Sequence, residues 1–140
     1  MELRRIFGRN ININKDIRSR YDKLQTNFLF KGRDAKNIFM VCLGLGYLKN
    51  NRKEVKDPIG LLNITSFEDD DLWTIASLAV KSTGDISLLD NGPEVKKIAS
   101  EYSYGGLSEL ETLDSEHNAE GFADAIEKKA KDALKKETKT

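Results

Sequence analysis

Sulfur and imidazole are nearly absent from this chain of 140 residues: a single cysteine, Cys42, and a single histidine, His117, stand far apart in it. No intrachain disulfide can form, which suits a reducing compartment, and a cytoplasmic location is the expectation. A zinc site wants about four nitrogen or sulfur ligands within reach, so no metal centre and no cofactor is expected. Long apolar runs are missing too. The longest, Ile38 to Leu48, falls well short of the ~20 residues a bilayer requires. The amino end reaches only Ile6-Phe7 before Gly8-Arg9-Asn10, too short for a secretory apolar region, and no membrane association is expected.

Catalytic arrangements are equally scarce. A Ser-His-Asp or Cys-His system would have to recruit His117 from a charged linker, and no nucleophile motif surrounds any serine. Gly44-Leu45-Gly46 is followed by neither the dinucleotide fingerprint nor the Lys-Ser/Thr of a phosphate loop. It sits in a helical pattern and reads as a packing feature. Carboxylate pairs such as Glu109 and Glu111 can always be picked from 23 acids, and most of these belong to a solvated face. A non-enzyme is expected. Cys42 reads as a small core hydrophobe and His117 as a solvated residue.

What is abundant is charge, 33% of residues, with a formal total of zero that conceals an asymmetry. Residues 1–66 hold 14 Lys+Arg against 6 Asp+Glu, whereas residues 67–140 hold 9 against 17. All seven arginines lie in the first 52 positions. The basic half suits an anion such as nucleic acid and the acidic half a basic surface, unless the two fold against each other and neutralise.

Length and patterning indicate one mainly α domain, residues 1–140, of five or six helices with at most a short N-terminal strand. Residues 1–14 form a strand or arm, with period-two alternation from Asn10 to Ile13. Asn14 is placed to cap a first helix, about Lys15 to Gln25, on the stripe Ile17, Tyr21, Leu24, Phe28. Ala35, Ile38, Phe39, Cys42, Leu45 and Leu48 trace a central buried helix from about Asp34 to Lys49. Gly44 and Gly46 inside it cost ~1 kcal/mol each against Ala, sensible if another element packs close. An irregular or extended piece follows from Pro58 through Ile64, then a helix capped by Ser66 and buried through Leu72, Ile75, Ala76, Ala79 and Val80, with Trp73 flanking. Thr83-Gly84-Asp85 stops it. Asn91-Gly92-Pro93 opens a fourth helix on Val95, Ile98, Ala99 and Tyr102. Gly105-Gly106 reads as its terminator, with a short fifth helix on Leu107, Leu110 and Leu113. A last helix, about Asn118 to Lys136, carries Phe122, Ile126, Ala130, Ala133 and Leu134, with a frayed end from Glu137 to Thr140.

Strand, basic helix, turn and buried helix is the order of ribbon-helix-helix DNA binders, in which strands of a homodimer pair and enter the major groove. On that analogy Arg9, Asn10 and Asn12 reach bases, and Lys15, Arg18 and Arg20 meet phosphates, with Arg4, Arg5 and Lys23 adding to the basic surface. The competing expectation is a protein-protein adaptor or homodimeric module that uses the acidic half and the last helix.

Several strings carry a resemblance. Asn37-Ile38-Phe39-Met40-Val41-Cys42-Leu43-Gly44-Leu45-Gly46-Tyr47, Asp57-Pro58-Ile59, Thr83-Gly84-Asp85-Ile86 and Glu101-Tyr102-Ser103-Tyr104-Gly105-Gly106-Leu107 resemble, in order and spacing, the small proteins encoded beside DNA phosphorothioation (Dnd) systems. The resemblance covers about Lys15 to Leu113. The Glu-Tyr-x-x-Gly-Gly-Leu string is its most specific element. It implies an accessory role in prokaryotic defence against foreign DNA, with proteins of the same system or DNA as partners and no catalytic residues to carry over. The basic first 14 residues and the Lys-rich last helix depart from the family, so the resemblance implies nothing for those ends.

Overall fold

In the computed structural model the described residues are 3–26, 30–116, 127, 128 and 130–132. They build a mainly helical domain: α1 (Leu3–Phe7), β1 (Asn10–Asn14), α2 (Ile17–Leu24), α3 (Ala35–Leu48), β2 (Pro58–Asn63), α4 (Asp69–Thr83) and α5 (Gly92–Glu116). Short 3-10 turns at Ile64–Ser66 and Ile86–Asp90 lead into α4 and α5. The expected last helix lies outside the described residues, apart from 127, 128 and 130–132, which are helical.

β1 and β2 pair antiparallel, with Ile11 opposite Leu62 and Ile13 opposite Ile59, and an irregularity between them. Ile11 and Ile13 are fully buried while Asn10 and Asn12 face out, so the period-two reading of this strand holds. The preceding Arg4 and Arg5 belong to α1 instead of extending the strand, because α1 buries Leu3 and Phe7 on one side. Asn14 is not a cap. It closes β1, and its buried amide is fully used: Oδ1 accepts from the amides of Lys56 (3.0 Å) and Asp57 (2.9 Å), and Nδ2 donates to Asp16 and Tyr104. Asp16 takes the N-cap position of α2. At α4 the cap is Glu68 and not Ser66; Asp71, three residues on, accepts from the Glu68 amide at 3.0 Å. Gly84, at φ 71°, ends the helix in the left-handed conformation expected of Thr83-Gly84-Asp85.

The largest departure from the sequence reading is α5. It runs unbroken through Gly105 and Gly106, so Val95, Ile98, Ala99, Tyr102, Leu107, Leu110 and Leu113 are buried on one helix of 25 residues. The glycines are there for proximity. A Cβ on Gly106 would stand 1.7 Å from the Cys42 carbonyl oxygen, one on Gly46 1.8 Å from that of Tyr102, and one on Gly105 2.0 Å from that of Asn51. α3 and α5 therefore meet backbone to backbone, which no side chain permits. Ser103 Oγ seals the contact by donating to the Phe39 carbonyl at 3.0 Å. Of the two glycines in α3 only Gly46 has this role; nothing lies within 4 Å of a Cβ built on Gly44.

Around this axis the core closes with the Phe39–Phe67 and Tyr47–Tyr102 edge-to-face pairs at 6.0 and 5.8 Å. α4 is tied to α5 by a Ser82–Tyr102 hydroxyl bond of 2.9 Å. The Tyr21 hydroxyl is the buried side-chain polar atom that lacks a hydrogen-bond partner among the described residues.

Gly44 of α3 and Gly106 of α5 separate propensity from packing. Gly44→Ala is expected to raise unfolding stability by roughly 1 kcal/mol, whereas Gly106→Ala should cost at least about 3 kcal/mol, the upper end of overpacking. Urea melts of the two variants check this. Tyr21→Phe, which deletes the unsatisfied hydroxyl, should leave the midpoint unchanged or raise stability by about 1 kcal/mol.

Candidate functional site

Three of the side chains proposed from sequence to meet DNA have structural employment. Arg4 donates from Nε to Asp69 at 3.0 Å and from its two terminal nitrogens to the carbonyls of Ile64 (3.2 Å) and Phe67 (2.7 Å), clamping the turn that leads into α4. Arg20 makes a two-pronged pair with Glu111 of α5, through Nε to Oε2 at 2.9 Å and Nη2 to Oε1, and also donates to Asp16 at 3.1 Å. Its guanidinium lies 5.6 Å from the Tyr104 ring centre. Arg5 is exposed but engaged. Two further pairs join the basic to the acidic half: Lys36 with Asp71 at 3.0 Å and Arg52 with Glu101 at 2.8 Å. The neutralising alternative is thus realised for part of the charge.

Arg9, Lys15, Arg18 and Lys23 are the remainder: exposed, with no ion pair among the described residues. The paired-strand geometry that would have aimed Arg9, Asn10 and Asn12 into a groove is overturned. One edge of β1 is paired to β2 of the same chain. On the other, the Asn10 carbonyl accepts from Lys96 Nζ at 3.0 Å and the Asn12 carbonyl from Ser100 Oγ at 2.6 Å, both from α5. Side chains of α5 thus occupy the carbonyls of the edge that a second copy's strand would have to pair with.

Asp16, Asn14, Tyr104 and Arg20 form one polar knot between β1, α2 and α5. Tyr104 Oη donates to Asp16 at 3.0 Å, and Asn14 Nδ2 reaches the other Asp16 oxygen at 2.6 Å. Burial alone would raise the Asp16 carboxyl, but hydrogen bonds from Asn14, Tyr104 and Arg20 outweigh it and hold the group below its usual value. Burial, then the bond to Asp16, pushes the Tyr104 phenol up. Cys42 is fully buried, and desolvation drives its thiol well above the ordinary range, so no thiolate is on offer there. His117 lies outside the described residues. Among those described, no group of three or more His, Cys, Asp or Glu is placed to hold a metal ion, and no helix is long and apolar enough to cross a membrane.

The surface feature that stands out is apolar. Trp73 is 48% exposed and Ile86 74%, the large hydrophobic side chains most open to solvent among the described residues. Both line a shallow groove of about 280 Å³ between α4 and the Ile86–Asp90 turn, together with Ala76, Val80, Lys81 and Leu89. Trp73 is off the buried stripe of α4 because Leu72, Ile75, Ala76 and Ala79 take the core-facing positions. The sequence placed Trp73 only as a flank of that stripe and was silent on Ile86; an isoleucine directly after a helix stop was the available signal. A second cavity, of about 310 Å³, lies where β1 and β2 meet the first turns of α5, and Asn12 lines it.

Two substitutions distinguish committed from free arginines. Arg20→Ala should lower stability by roughly 1–3 kcal/mol, since it strands Glu111 and loosens the knot, while Arg18→Ala should stay within about 0.5 kcal/mol of the parent. The knot also sets an acid limit. Because the folded value of Asp16 lies below the usual 3.8, its ionised form stabilises the fold above about pH 4 and that contribution is lost as pH falls through the lowered value. Asp16→Asn should flatten the acid limb of a stability-against-pH curve and leave the neutral limb parallel to the parent. Comparison of the chain with protein-family models, with curated proteins and with solved structures finds no match.

Proposed function

We propose that this protein is a non-catalytic accessory that docks a protein partner, in the setting of prokaryotic DNA-modification and defence that its sequence resemblance implies. One observation carries the reading: Trp73 and Ile86, both exposed, line one and the same apolar groove. Leaving two large hydrophobic side chains in water forgoes roughly 1.5–3 kcal/mol of burial apiece, and exposed aromatic anchors beside a pocket are where interface energy concentrates. Carboxylates flank the groove in the chain: Asp70 one turn before Trp73, and Asp85 and Asp90 at the ends of the turn that carries Ile86 and Leu89. The charged side chain in the lining itself is Lys81, so the groove suits an amphipathic helix that sets a carboxylate beside its apolar face.

Trp73 is the single tryptophan, so its emission reports on the groove alone. A photoreactive residue introduced at Ser77, which lines the groove, should cross-link a discrete protein in cells. The purified partner should then shift Trp73 emission to the blue, and Ile86→Asp should weaken binding by about tenfold or more, as at an interface hot spot. Trp73 emission that stays constant at saturating partner ends this reading.

A second reading, nucleic-acid binding, is favoured by the open cations Arg9, Lys15, Arg18 and Lys23. It predicts a gel shift of duplex or single-stranded DNA that fades steeply between low and moderate salt, because phosphate contacts release counterions. The Arg9→Ala, Arg18→Ala double variant should lose it. Absence of a shift for the parent at low salt rules it out.

A further inference from the structure

The cavity beside β1 has a different character from the groove, and no residue lines both. Its polar lining is Asn12 of β1 with Lys96, Lys97 and Ser100 of α5; its apolar lining is Val55, Pro58 and Pro93. No carboxylate lines it. Two ammonium groups on adjacent residues of α5 repel each other and suit an anion between them. Pro93, Lys96 and Lys97 sit in the first two turns of a 25-residue helix, where the helix dipole adds positive potential. That end of the helix supports the site without being its basis; the lysines and the cavity are.

Each polar group has capacity to spare. Lys96 spends one of its three N–H donors on the Asn10 carbonyl and keeps two. Lys97 and the Asn12 side chain make no hydrogen bond among the described residues. The Ser100 hydroxyl, held by its bond to the Asn12 carbonyl at 2.6 Å, keeps its lone pairs for a donor. Gly60 of β2 lies close to the same side chain: a Cβ there would come within 3.4 Å of Asn12 Oδ1 and 3.3 Å of Asn10 Nδ2.

We propose that this cavity binds a nucleotide unit. The phosphate sits between Lys96 and Lys97. The flat ring lies against Pro58, Pro93 and Val55, and the Asn12 amide, a donor and an acceptor in one group, meets the edge of the base. A cavity of about 310 Å³ falls at the small end of ligand sites, which suits one nucleotide and not a dinucleotide cofactor. The unit comes either from a free mononucleotide or from the end of a single strand, and the chemistry of recognition is common to both.

The full chain, labelled with nitrogen-15, is titrated with each of the common ribonucleoside and deoxyribonucleoside monophosphates, with a short 5′-phosphorylated oligothymidylate and with inorganic phosphate. Amide resonances of Asn12, Val55, Lys97 and Ser100 should move with the mononucleotides or with the oligonucleotide, whichever is the source. Inorganic phosphate alone should bind at least about tenfold more weakly, as the ring contacts are then missing. Lys97→Glu and Asn12→Ala alter exposed side chains and leave the spectrum folded; the first should weaken binding by about tenfold or more through charge reversal, the second should erode the preference among bases. Trp73 emission should not respond. If neither nucleotides nor oligonucleotide move these resonances at about 5 mM, or if phosphate alone matches them in affinity, the proposal is overturned.

Discussion

The backbones of α3 and α5 touch at Gly46 and Gly106, and most of the remaining architecture hangs from that contact. With a Cβ on either residue an oxygen of the facing helix would have to move by more than an ångström, and a close-packed interior does not absorb such a shift locally. Because the helices approach so closely, α5 can serve as a continuous spine. Gly92 at its start lies under the Ile6 carbonyl of α1, Lys96 and Ser100 hold the free edge of β1, Tyr102 reaches α4, and Tyr104 and Glu111 gather α2. The helix-weakening cost of two adjacent glycines, about 1 kcal/mol each, is offset by the dispersion and hydrogen bonding that this proximity allows.

Charge is shared between α4 and this spine. The excess of arginine and lysine in the first half and of acid in the second meet at Arg4–Asp69, Arg20–Glu111, Lys36–Asp71 and Arg52–Glu101. These pairs differ in worth. Arg4–Asp69 is largely solvated, and such pairs contribute little; the carbonyls of Ile64 and Phe67 give Arg4 its positional value. Arg20 is more enclosed and holds two carboxylates and an aromatic face at once, so its removal unbalances a network and not a single pair.

What remains on the outside is then informative by contrast. The polar halves are matched where they meet, yet among the described residues the surface keeps a hydrophobic groove with a half-open tryptophan, a lysine-lined cavity without a carboxylate, and a set of cations without ion pairs on α2 and beside β1. Each leaves a solvation or burial gain unrealised in the isolated chain. Binding of a partner at any of them would stabilise the folded state in proportion to its concentration over its dissociation constant.

Local patterning identified the elements whose residues answer only to their own neighbours in the chain. The alternation of Ile11 and Ile13 marked the strand, the stripe from Ala35 to Leu48 marked α3, and Thr83-Gly84-Asp85 marked the end of α4, since each depends on side-chain period or on the φ that glycine permits. Gly105-Gly106 has no such local signature, because the same two residues serve equally as a stop or as a close-approach surface. The choice belongs to Cys42 and Gly46, some sixty positions away, which no local rule can weigh. Likewise the composition showed two opposite charge pools but not which members would meet: Arg18 and Arg20 are two residues apart on one helix, and only the rotation of α2 against α5 brings the second to Glu111 and leaves the first in water. Folding joins distant segments by geometry, so the sequence named the charges and the glycines, and three-dimensional packing assigned each of them its work.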